Sequence, residues 1–259
     1  EFATGYPGYN SKMDYSTPSV ARILTDNGYA TAAFGKWHNT PMEEASPAGP
    51  FESWPTGMWG FEYFWGFMGG ETNQFHPLLY ENTTPIETPK TNADGSTFHL
   101  SHGMADQAIK WLDNWKGLRD DPFFMYYTPG AVHAPIQVPE EWRDKYKGQF
   151  DDGWHAYRAQ LLERQKKMGL IPEDSEMVDW PESLPEWDSF SEEAKEYLAR
   201  QMEVNAAFME HVDHHVGRVI DHLEELGELD NTLVIYLTAD NGCTAEGTPT
   251  GTFSELLMQ

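Results

Sequence analysis

Two apolar rhythms alternate along the chain. Continuous β-branched and aromatic runs, Tyr29 to Phe34, Phe123 to Tyr127 and Thr232 to Thr238, have the length and composition of strands buried on both faces, as in parallel sheets. Between them, residues 103–118 set Met104, Ala108, Trp111, Leu112 and Trp115 at spacings of three and four. Residues 191–226 do the same with Met209, Val212, Val216, Val219, Leu223 and Leu226. Both segments predict amphipathic helices, the second opened by Ser191-Glu192-Glu193 and stopped by Gly227.

A shorter helix follows Ser16 or Thr17 as cap, with Pro18 in its first turn and Val20, Ile23 and Leu24 on one face, and ends at Asn27-Gly28. Residues 139–168 predict one or two charged helices, and 169–190 a Pro- and acid-rich loop. Residues 41–90 are dense in Gly, Pro and aromatics, among them Trp54, Trp59, Phe61, Phe64, Trp65 and Phe67, and predict an irregular excursion packed by its own rings. Strands alternating with helices give an α/β fold with a mostly parallel sheet, and one domain over residues 1–259 is the simplest division.

Each strand ends in polar residues. The first leaves through Gly35-Lys36-Trp37-His38, where Lys36 and His38 share a side of the extended backbone and suit an anion; a solvated Lys36 and a turn-capping His38 account for the same spacing. The second leaves through Thr128-Pro129-Gly130-Ala131-Val132-His133-Ala134-Pro135. The third ends in Asp240-Asn241-Gly242, hard oxygen donors suited to Ca²⁺ or Mg²⁺, or else an ordinary strand-to-turn exit. In a parallel sheet these tips face one crevice, so Lys36, His38, His133, Asp240 and Asn241 form one candidate site. His211, His214 and His215 invite a zinc reading. Because His211 and His214 fall off the apolar stripe, and Asp213 and His215 flank it, solvated and edge-bonding roles are expected for them instead.

Composition narrows the classes. The 259 residues carry 42 acidic against 17 basic side chains, a formal charge of −25, which argues against a nucleic-acid or anionic-membrane partner. No run of 18 apolar residues and no basic-then-apolar start occurs, so neither a membrane span nor a signal peptide is expected within residues 1–259. Periplasmic, secreted and cytoplasmic placements all stay open. Cys243, the single cysteine, excludes internal disulfides and reads as a small packed residue. Asn82-Thr83-Thr84 matches a glycosylation acceptor.

The segments Tyr29-Ala30-Thr31-Ala32-Ala33-Phe34-Gly35-Lys36-Trp37-His38 and Val132-His133-Ala134-Pro135, with Asp230 to Ile235 running into Asp240-Asn241-Gly242, resemble the arylsulfatases of the alkaline-phosphatase-like superfamily. The resemblance implies a three-layer α/β/α sandwich and metal-assisted hydrolysis of a sulfate ester, small-molecule or carbohydrate. By position it implies that Asp240 and Asn241 ligate a cation, Ca²⁺ ahead of Mg²⁺, and that Lys36, His38 and His133 bind sulfate oxygens or assist the leaving group. It also implies a formylglycine nucleophile made within Cys/Ser-x-Pro-x-Arg. That motif does not occur here, nor do the family's paired N-terminal aspartates or its downstream lysine. The chain therefore reads as an internal piece of a sulfatase catalytic domain, incomplete at both ends, with little turnover or calcium affinity expected of it alone. The same clamp would serve a phosphomonoester or phosphonate ester, and a non-catalytic carbohydrate-binding module using the aromatics of the excursion is the reading from another class.

Overall fold

The computed structural model describes Met13 and residues 15–238. These cluster into two compact units: one holds the described residues up to Gln137 and from Glu210 onward, the other Val138–Met209.

The first unit is built on a five-stranded sheet of order β4-β3-β2-β1-β5. Its strands are β1 (Ala30–Trp37), β2 (Tyr63–Met68), β3 (Leu79–Glu81), β4 (Thr84–Ile86) and β5 (Phe123–Thr128). β1 runs parallel to both β2 and β5, and the β2-β3-β4 edge is antiparallel. β1 is apolar on both sides because both sides are covered. Ala30, Ala32 and Phe34 pack with Met104, Ala108 and Leu112 of α2 (Leu100–Leu118) and with Val219 and Leu223. Ala33 and Trp37 pack with Phe61, Phe64 and Ala21 of α1 (Val20–Asp26). Helical cover on one face and α1 with the aromatic loop on the other make the three layers. Each fully buried Leu, Met or Phe in them contributes about 1.5–3 kcal/mol.

The second unit holds α3 (Glu140–Arg143), α4 (Gly153–Lys167) and the first part of α5 (Glu192–Glu225). Phe150, Trp187, Leu198 and Ala199 form its core.

Several elements depart from expectation. The 41–90 excursion contains β2, an interior strand of the sheet; Tyr63-Phe64-Trp65-Gly66-Phe67-Met68 is buried at four successive positions, and its flanking glycines and prolines disguised it as loop. Ser19, not Ser16 or Thr17, caps α1 by accepting the Arg22 N–H at 3.0 Å. Val20 and Ile23 face solvent and Ala21 is the buried residue, because the short helix lies on the sheet by its smallest side chain. Residues 232–238 form no strand, and Leu233 and Leu237 are 84% and 87% exposed. A two-faced apolar strand needs a sheet neighbour and cover on both faces, and this run has neither among the described residues. On α5, Met209 is exposed while Phe208, His211, Val212, His215, Val219 and Leu223 are buried. His211 and His215 thus lie inside the stripe, not in water or at its edge. Asn82, at the β3-β4 turn with φ of 55°, accepts the Phe64 N–H through Oδ1 at 3.0 Å, so its side chain holds the sheet edge.

Candidate active site

The ends of β1 and β5 are brought together by close backbone approach. Gly35 has φ of 101°, and a Cβ there would lie 2.1 Å from the Thr128 carbonyl oxygen and 2.6 Å from Met104 Cε; one at Gly66 would lie 2.0 Å from Gly35 O. Only glycine fits the left-handed conformation and the contact together. The kink at Gly35 lets the Thr128 hydroxyl reach both the Phe34 carbonyl, at 3.1 Å, and the Lys36 carbonyl, at 3.0 Å. Lys36, half-buried, and buried Trp37 are the last residues of β1, and His38 follows them into solvent.

His38 lies against the backbone after β2, where a Cβ on Gly70 would come within 3.1 Å of its Cε1. Burial first, and then the positive charges of Lys36 and His133, hold His38 below the ordinary imidazole value. Because β1 and β5 run parallel as neighbours, Lys36, His38 and His133 all follow the same edge of the sheet. His133 sits in the segment after β5, where its N–H donates to the Gly130 carbonyl at 3.0 Å. Its Nδ1 lies 3.0 Å from the Ala134 carbonyl. A carbonyl only accepts, so Nδ1 carries the proton in this contact. Glu71 Oε2, from the segment after β2, lies 3.7 Å from the same Nδ1.

The structure thus gathers Lys36, His38 and His133, while Asp240, Asn241 and Cys243 lie outside the described residues. The sequence reading missed Gly70 and Glu71, which back the two imidazoles. Their signal is Gly69-Gly70-Glu71 directly after an apolar run, a fourth polar strand exit that a loop reading of β2 hides. Among the described residues no group of three or more His, Cys, Asp or Glu side chains is arranged to hold a metal. Lys36, His38 and His133 do not by themselves fit a cation.

A partly parallel sheet covered on both faces, with cationic and imidazole groups at its strand ends, defines an α/β protein of the kind whose ligands gather at the carboxyl ends of its strands. A crystal structure of a sulfatase of Bacteroides fragilis shares the fold, with a TM-score of 0.53 at 17% identity, over 87% of this chain and 44% of that one. The sulfatase family model matches residues 1–254, and the chain belongs to that family. An uncharacterised sulfatase of Schizosaccharomyces pombe is 36% identical over 94% of this chain and 44% of its own length. The arylsulfatase of Klebsiella aerogenes is 28% identical over 94% of this chain and 51% of its own. The chain therefore spans about half the length of these curated relatives.

Proposed function

We propose that the protein hydrolyses a sulfate ester, small-molecule or carbohydrate, and that Lys36, His38 and His133 hold the transferred group. The observation that carries this reading is that β1 and β5 are neighbouring parallel strands, so Lys36 and His38 at the end of one and His133 after the other lie on the same edge of the sheet. The Lys36 ammonium and the imidazole N–H groups offset negative charge on the sulfate oxygens as the ester bond breaks, in a site where they are already oriented. His38, held neutral near pH 7, serves as a hydrogen-bond donor. His133, with Nδ1 bonded to Ala134 O, presents Nε2 to the departing oxygen and delivers a proton there when protonated, with Glu71 facing the charged ring. Asp240 and Asn241 are the proposed ligands of a Ca²⁺ ion, which would polarise the sulfate and support a formylglycine nucleophile.

The test is turnover of an aryl sulfate against the matching aryl phosphate by the full-length protein. Sulfate should be preferred, and Lys36→Ala and His133→Ala should each lower kcat by about a hundredfold or more. Preference for the phosphate would transfer the site to phosphoryl chemistry. Unchanged turnover in both variants would remove these residues from the reaction.

A further inference from the structure

Behind the candidate site lies a buried polar joint that the proposed chemistry does not use. His99 is fully buried and stands at the N-terminus of α2. Its Nδ1 accepts the Ser101 N–H at 3.2 Å, capping the helix, and its Nε2 lies 3.0 Å from the Gln137 carbonyl oxygen. An amide nitrogen only donates and a carbonyl only accepts, so the ring is neutral with its proton on Nε2. A second proton on Nδ1 would set two N–H groups against each other. The Gln137 side chain in turn accepts the Gln74 N–H through Oε1 at 2.8 Å, and the Gln74 carbonyl accepts the Leu100 N–H at 2.8 Å. Gln74 itself is 1% exposed.

Gln137 closes the segment that carries His133, and Gln74 follows the segment that carries Gly70 and Glu71. One ring therefore ties both site loops to the first turn of α2. We propose that His99 is a positioning residue of the candidate site, its neutral Nε2–H tautomer fixing through Gln137 and Gln74 the two loops that place His133 and Glu71. This rests on the function proposed above only for its effect on turnover. The ring's surroundings keep it uncharged: His211 lies 4.4 Å from it, centroid to centroid, Phe75 lies 5.1 Å away edge-on, and His102 follows one turn along α2. Burial pushes its pKa down to about 4, against the opposing pull of the Gln137 carbonyl.

Two measurements decide the proposal. Nitrogen NMR of the wild-type ring should report the Nε2–H tautomer; an Nδ1–H tautomer overturns the joint. His99→Asn keeps an acceptor for Ser101 but is too short to reach Gln137. It should speed amide exchange at Gln74 by about tenfold, as expected for one lost hydrogen bond, shift the His133 ring resonances, and leave Ser101 exchange alone. Unchanged Gln74 exchange and His133 resonances overturn the proposal. Should that variant fail to fold, Gln137→Ala, which removes only the Oε1 link, should speed Gln74 exchange to a similar degree, and no change there is equally fatal.

In the full-length protein, His99→Asn should lower kcat on a sulfate ester about fivefold to tenfold with KM nearly constant, since the loss is one of placement. If the wild type turns over no sulfate ester, the functional reading falls, and the exchange and resonance measurements still decide the role of His99.

Discussion

Acidification should unfold the first unit through three rings, His99, His211 and His215, which are 0%, 2% and 4% exposed. Burial is the first cause of depression in all three, to about 4 for His99 and about 2 for the other two. Neighbouring charge adds to it: Arg218 Nη1 lies 3.1 Å from His215 Nδ1, and His215 Nε2 meets His211 Nε2 at 3.1 Å. Arg218 is itself held by Asp106 at 2.7 Å. Because the guanidinium only donates, His215 carries its proton on Nε2 and donates to His211, an arrangement that requires both rings neutral. In the unfolded chain each ring regains a value near 6.5, so the unfolded state binds more protons. The stability is complete above that value and is lost as pH falls toward the folded values. At about pH 5 each neutral ring costs about 2 kcal/mol relative to about pH 8, roughly 6 for the three, against a typical total of about 5–15.

The assay is urea unfolding at a series of pH values. The midpoint should fall steadily from about pH 7 to pH 5, above the range in which Asp94, Asp121 and Asp144, all lowered by their partners, begin to protonate. His211→Gln should flatten the slope by about 1.4 kcal/mol per pH unit. A midpoint that stays level or rises over that interval would refute the assignment of these rings as neutral and buried.

Three further outcomes follow from packing. Gly35→Ala forces a Cβ to 2.1 Å from Thr128 O at φ of 101° and should cost about 2–5 kcal/mol, seen as a large fall in thermal midpoint; a change within error would mean the β1-β5 contact relaxes freely. Leu112→Ala, emptying a fully buried position between α2 and the sheet, should cost about 2–5 kcal/mol in denaturant unfolding. Asn82→Ala loses both the acceptor for Phe64 N–H and tolerance of a positive φ. It should cost about 1–3 kcal/mol, with Asn82→Gly milder, and equal costs would show that the hydrogen bond alone matters.

The elements that the sequence revealed are those whose period was unmixed. Residues 29–34, 103–118, 123–127 and 191–226 carry single apolar rhythms, and each is recovered within a few residues as β1, α2, β5 and α5. β2 was hidden because its neighbours, Gly60 before it and Gly69-Gly70 after it, are turn residues, and a six-residue strand is too short to outweigh them. Residues 232–238 show the opposite error. Their composition is that of a buried strand, but burial depends on neighbours that composition does not name, and the described chain supplies none.

The site was legible only in part for a related reason. Lys36, His38 and His133 announce themselves by lying just past apolar runs, and their convergence follows once the strands are parallel. Gln74, His99 and Gln137 act through contacts to backbone carbonyls and amides, set by three-dimensional proximity across separations such as the 63 residues between Gln74 and Gln137. The histidines of α5 complete the contrast. A count of apolar letters leaves His211 and His215 outside the stripe, yet a neutral His215, with Nε2 on His211 and Nδ1 on Arg218, can occupy an apolar position at little cost. Arg218 and Asp106 supply that condition for His215 from two different helices, so the burial of the ring could be recognised only after α2 and α5 were known to pack together.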